Sequence, residues 1–88
     1  GTIETAYTIL NGEFEVIEAE IIDSSELVNK ELKNSNLPDD IRIGAILRKE
    51  DIIIPTSNFI FEKKDIVVFL AKRDQLPLVE RLFQISSI

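Results

Sequence analysis

The sequence contains no cysteine and no histidine. Without cysteine there is no disulfide, no thiolate nucleophile and no thiolate zinc cluster. Without histidine, the commonest general base and metal ligand near neutral pH is missing. Together these absences argue against an enzyme, and neither catalytic nor metal-ligating residues are assigned. Glycine is scarce as well. Gly1, Gly12 and Gly44 are too dispersed to form a loop such as G-x-G-x-x-G that cradles phosphate. No P-loop lysine, EF-hand spacing or serine nucleophile elbow occurs, and Ser24, Ser25, Ser57, Ser86 and Ser87 have no histidine to activate them. Long apolar runs are also lacking. The longest, Ile66 to Ala71, falls far short of the roughly 18 residues of a membrane span, so no direct membrane insertion is expected. Nor is there an excess of cations: 10 Lys and Arg stand against 16 Asp and Glu, a net charge of −6. That balance argues against nucleic acid and anionic membrane surfaces, and its scatter along the chain reads as solubility.

What the chain has is isoleucine. Of 88 residues 44% are apolar, and fifteen are isoleucine, which favours a single β-rich core of stiff branched side chains. Thr5 to Leu10 reads as a strand, and Asn11-Gly12 as a type I′ hairpin turn. The returning strand, Glu13 to Ile22, slips phase: Phe14 and Val16 share one face, then Ile17, Ala19 and Ile21 take the other. A bulge, or a strand covered on both sides, explains such a slip. Glu13, Glu15, Glu18 and Glu20 fill the complementary positions. Paired carboxylates can do acid–base work, but nothing apolar beside them raises a pKa, and a solvated strand face is the simpler reading.

Asp23-Ser24-Ser25-Glu26 reads as a helix entrance, with Leu27, Val28 and Leu32 facing the core and an end near Asn34. Asn36 to Asp40 turns into a strand. Thr56-Ser57-Asn58 is a polar turn before the alternating Phe59 and Phe61. Ile66 to Ala71, apolar throughout, belongs at the sheet centre. Asp74 caps a second helix with Pro77 in its first turn and Leu76, Val79, Leu82 and Phe83 at helical spacing. The expected class is α+β: a small antiparallel (mixed) β-sheet with two helices. Lys63-Lys64 and Lys72-Arg73 are basic pairs that can contact phosphate or simply solvate strand ends.

The segment Ile41 to Pro55, IRIGAILRKEDIIIP, is the most informative. Ile41, Ile43, Ala45 and Leu47 alternate with Arg42, Gly44, Ile46 and Arg48, the period of a strand. Lys49-Glu50-Asp51 turns the chain into Ile52-Ile53-Ile54, and Pro55, with no N–H to donate, ends the pairing. Strict alternation puts Ile46 on the face of Arg42, Gly44 and Arg48, either under a helix or in a subunit interface. Gly44 then lies between two arginines, where a backbone can approach closely. Two such strands about a two-fold axis present four arginines around an apolar centre. That suits a dianionic dinucleotide, and equally a solvated surface beside the nearby acids.

A family resemblance emerges from pieces in order. They are Glu15 to Ile21, Leu27-Val28-Asn29-Lys30, Leu37-Pro38, Ile43 to Arg48, Ile53-Ile54-Pro55, Asp65 to Phe69 and Val79 to Phe83. Together they resemble the TrkA C-terminal domain, the C-terminal lobe of the regulator of potassium conductance module. The resemblance implies residues 1–4 as a linker or extraneous remnant, 5–85 as the regulatory domain and 86–88 as a tail, the last domain of a bacterial potassium-uptake regulator. It implies a cytoplasmic homodimer acting on a membrane potassium transporter subunit through the full-length protein, peripheral to the inner membrane. NAD or ATP would belong to a separate Rossmann-type lobe, so no cofactor is assigned to this domain. Some relatives bind cyclic di-AMP across a two-fold interface. By that resemblance Arg42, Ile43, Gly44, Ala45, Ile46, Arg48, Ile54 and Pro55 are the candidate ligand-binding and dimer-interface residues. A purely structural dimerisation lobe with no ligand is the alternative. Asn29, Asp51, Ser57 and Lys64 stand where the family commonly has glycine. Asn29 and Asp51 are expected to hold left-handed backbone, and Lys64 to change the shape of its turn.

Overall fold

The structure, a computed structural model, describes residues 3–83, with side chains from residue 11 onward. Five strands form one sheet: β1 (Ile3–Ile9), β2 (Phe14–Glu20), β3 (Ile41–Arg48), β4 (Asp51–Ile53) and β5 (Ile66–Lys72). Their spatial order is β1-β2-β5-β3-β4, and every pairing is antiparallel. The apolar run in β5 sits at the centre of the sheet, as expected, with Val67, Phe69 and Ala71 buried on one face and Ile66, Val68 and Leu70 partly exposed on the other. β1 begins at Ile3, inside the stretch expected to be linker, and Ile3 pairs with Ala19. The expected tail, residues 86–88, lies outside the described residues, as do residues 84 and 85.

One α-helix, α1 (Leu76–Phe83), lies on one face of the sheet. A 3₁₀ turn over Arg73–Gln75 holds Asp74 and winds into α1, so Pro77 occupies the first helical turn as expected. Val79, Leu82 and Phe83 are buried, and Phe83 stacks on Phe69 of β5 with ring centroids 5.3 Å apart. The core beneath α1 gathers Ile17 and Ala19 from β2, Ile41 and Ile46 from β3, Val67, Phe69 and Ala71 from β5, and Ile21, Leu27 and Phe61 from the connections.

The helix expected over residues 23–34 does not form; turns and a 3₁₀ segment, Leu32–Asn34, take its place. Its N–H groups are claimed from outside. Asn29 donates to the Phe61 carbonyl at 2.8 Å, Leu32 to Phe59 at 2.8 Å and Lys33 to Ser57 at 3.0 Å. These bonds replace the i−4 ladder that a helix needs. Asn29, at φ 64°, breaks any helical run. Ser25 closes the other end: its Oγ donates to the Leu82 carbonyl at 2.6 Å and accepts from the Leu27 N–H at 3.2 Å, thereby satisfying the end of α1. Phe59 and Phe61 do not form a strand either. Only an isolated bridge joins Ile60 to Glu31.

Two strands differ from their sequence pattern. β2 pairs with β5 without interruption from Phe14 to Glu20, so its phase slip is not a bulge but a strand apolar on both faces. The bulge is in β3. Ile43 faces Phe69 and Ala45 faces Val68, leaving Gly44 as the extra residue. The Asn11-Gly12 turn is wider than a two-residue hairpin, because the last pair is Ile9 with Phe14. Both turn residues keep positive φ, 60° and 85°, as their chemistry predicts.

Candidate functional site

The Gly44 bulge redistributes the predicted site. Ile41, Ile43 and Ile46 all turn toward the core, opposite Ala71, Phe69 and Val67. Ile46 is fully buried, so of the two alternatives for it, burial under the helix layer is the one realised. Arg42, Ala45 and Leu47 take the opposite face with Leu70, Val68 and Ile66. Arg42 and Arg48 therefore lie on different faces and at different ends of β3, and the four-arginine arrangement does not arise. A Cβ on Gly44 would meet the Val68 carbonyl at 3.5 Å, an ordinary contact, so this glycine serves the bulge rather than an opening for a ligand.

Arg42 is exposed and folds back on its own loop, its Nη1 donating to the carbonyls of Asp39 and Ile41. Arg48 is committed elsewhere. Its Nε and Nη2 each donate to the Asp65 carboxylate at 2.8 Å, and Nη2 also reaches the Ile60 carbonyl at 2.9 Å. Nη1 pairs with Glu62 at 2.9 Å, and the guanidinium lies 4.8 Å over the Phe59 ring. Asp65 is 1% exposed and accepts the Glu62 N–H at 2.9 Å in addition to the two arginine bonds. The bond from Asp65, with the charges of Asp65 and Glu62 added, holds the Arg48 guanidinium above its ordinary range despite the opposing effect of burial. The sequence reading placed Asp65 only at the head of the Asp65 to Phe69 segment and missed this pair. The available signal was an acid abutting the most apolar run of the chain, where burial demands a cation.

The second face of the sheet has no helix over it among the described residues. Along the centre run Ile66, Val68 and Leu70 of β5, with Phe14 and Val16 of β2 on one side and Ala45 and Leu47 of β3 on the other, all partly exposed. Ile52 of β4 extends the stripe from opposite Leu47 and is 76% exposed. Ile54, beside Pro55 at the free edge, is 72% exposed. Glu18, Glu20, Arg42 and Lys72 give the stripe a charged margin. An alternating pattern would have made this face polar. Instead both faces of the central strands are apolar, which is how a surface that meets another protein reads.

A family model described as the TrkA-C domain matches residues 16–84. The chain belongs to the TrkA-C domain family. Among curated relatives, a Trk system potassium uptake protein TrkA from Azorhizobium caulinodans is 35% identical over 86 residues, covering 98% of this chain and 19% of the relative. Its counterpart from Haemophilus influenzae is 34% identical over 91 positions, covering 99% of this chain and 20% of the relative. A Trk system potassium uptake protein TrkA homolog from Archaeoglobus fulgidus is 34% identical over 73% of this chain. The TrkA-C chain described here thus spans about a fifth of the length of the first two. No helix of its described residues is long and apolar enough to cross a membrane.

Proposed function

We propose that this TrkA-C domain is a non-catalytic regulatory module of a potassium-uptake system, pairing with a second copy of itself and sensing a small anionic ligand. The observation that carries the reading is the apolar outer face of β5, β3 and β4, continued by Ile52 and Ile54. An interface built on one patch about a two-fold axis needs that patch to be self-complementary, and an apolar stripe with a charged margin meets the requirement. Potassium uptake comes from the names of the relatives, and the transporter would be reached through the full-length protein.

A ligand held between two copies biases the pair only by binding one arrangement better than another. Cyclic di-AMP, itself two-fold symmetric and doubly charged, suits a site on that axis. Arg42, Ile54 and Pro55 remain exposed or partly exposed to receive it, whereas Arg48 is engaged by Asp65 and Glu62. That engagement favours the second reading, a dimerisation lobe without a ligand.

Light scattering combined with calorimetric titration separates the readings. The expected result is a dimer mass, heat on adding cyclic di-AMP, and weaker binding in Arg42→Ala. A dimer that gives no heat at high ligand concentration supports the lobe without ligand. A monomer at every concentration rules out both.

A further inference from the structure

Among the described residues five that are not glycine hold positive φ: Asn11, Asn29, Asn36, Lys49 and Lys64. Three are asparagine, the side chain that turn chemistry selects for left-handed backbone. Lysine has no such aptitude. Its Cβ crowds the following carbonyl. Lys49, at φ 56°, is the first residue of the two-residue loop joining β3 to β4, and Lys64, at φ 74°, closes the turn before β5. The turn at Lys64 therefore keeps its left-handed shape, contrary to expectation, with lysine bearing the strain. Asp51 and Ser57 are not left-handed at all.

The two strained lysines converge. With Arg48, Glu62, Lys63 and Asp65 they line one recess of about 110 Å³. At about 30 Å³ per water it holds roughly three or four waters, or one small oxyanion. Its lining carries four cations and two carboxylates, +2 locally on a chain of net −6. Both carboxylates are already taken up by Arg48. No hydrogen bond or ion pair engages the side chains of Lys49, Lys63 and Lys64 among the described residues. Three lysines thus stand around an arginine fixed by two carboxylates, none of them paired with either, and two of them are on backbone that glycine would hold without strain.

We propose that this recess, between the β3–β4 loop and the turn preceding β5, binds a phosphate dianion, free or as a terminal monoester, through Lys49, Lys63 and Lys64. Arg48, clamped by Asp65 and Glu62, forms a fixed floor, and the ammonium groups close over the oxygens as point charges. Glu50 on the same loop and Asp51 at the start of β4 are exposed and lie outside the lining. The proposal is independent of the dimer reading, since none of these lysines lies on the apolar face.

The test is a ¹H–¹⁵N NMR titration of the chain with inorganic phosphate, then with adenosine monophosphate, each against chloride at matched ionic strength. Saturable shifts at the amides of Lys49, Lys63, Lys64 and Asp65 are expected, at about millimolar concentration. A response to inorganic phosphate alone assigns the free ion, and a tighter response to the nucleotide assigns the monoester. Lys63→Gln, on exposed and unstrained backbone, should weaken binding about three-fold. Lys64→Gly should raise the melting temperature by relieving strain and weaken binding as well. Shifts reproduced by chloride, or a Lys64→Gly protein that melts higher yet titrates like the parent, would overturn the proposal.

Discussion

Asp65 illustrates how one buried acid organises its surroundings. Its carboxylate fixes Arg48 with two bonds, and Arg48 in turn holds the Ile60 carbonyl and Glu62, so the long connection from Pro55 to Asp65 is anchored at its far end. Removing one partner of such a pair leaves the other uncompensated, which costs about 3–5 kcal/mol when both are buried. Arg48 is 26% exposed, so the lower end applies. Asp65→Asn should therefore lose about 3 kcal/mol, read as a melting temperature lower by more than about 10 °C. The pH dependence follows from the sign of the Arg48 shift. A base held above its ordinary value contributes stability that is fully present below that value and lost only as pH rises through the raised one. Arg48→Gln should thus cost the same at pH 6 as at pH 9 in urea denaturation; a cost that shrinks between those values would contradict the assignment.

At the scale of elements, the bulge in β3 decides which face each side chain takes. Deleting Gly44 would restore strict pairing and leave every other β3 side chain on its present face, because Ile43 and Ala45 already stand opposite the adjacent residues Phe69 and Val68. The deletion should therefore keep cooperative melting, and loss of the transition would contradict the assignment of Gly44 as the extra residue. Gly44→Ala should change stability by less than about 1 kcal/mol, because φ there is not positive and the new Cβ meets Val68 at an ordinary 3.5 Å. Circular dichroism melts of the two proteins make the comparison. The bulge shows why the strands were legible in the sequence and the site was not. Period-two patterning located β2, β3 and β5, and the run from Ile66 marked the central strand. The extra residue in β3 is set by the pairing of β5, which the local pattern of β3 does not contain. The helix expected after Asp23 failed for a similar reason: its amphipathic spacing was real, but residues 57–61 supplied better partners for its N–H groups. Asn29 and the acid at Asp65 were legible in principle, the one as a breaker and the other as a charge beside an apolar strand.

For the whole molecule the two sheet faces predict opposite responses to substitution. Phe69 is 1% exposed and stacks on Phe83, so Phe69→Ala should cost about 3–5 kcal/mol and leave little folded protein. Val68, its neighbour on the other face, packs against no helix among the described residues. Val68→Glu should fold with nearly unchanged stability at high dilution while shifting the sedimentation mass from dimer to monomer. Loss of folding in both proteins would mean that the outer face is core, not interface.

The strand order has a further consequence for biosynthesis. β5 lies between β2 and β3, yet it is the last strand to be translated. Until Ile66 to Lys72 emerges, the TrkA-C part of a ribosome-bound chain holds two separate hairpins, β1–β2 and β3–β4, each with an unpaired edge where β5 will insert. The sheet cannot form by stepwise growth from the N-terminus. It closes in a single late event that joins the hairpins and brings α1 onto the core, so synthesis stalled before residue 66 leaves this segment as an exposed pair of hairpins rather than a partly formed sheet.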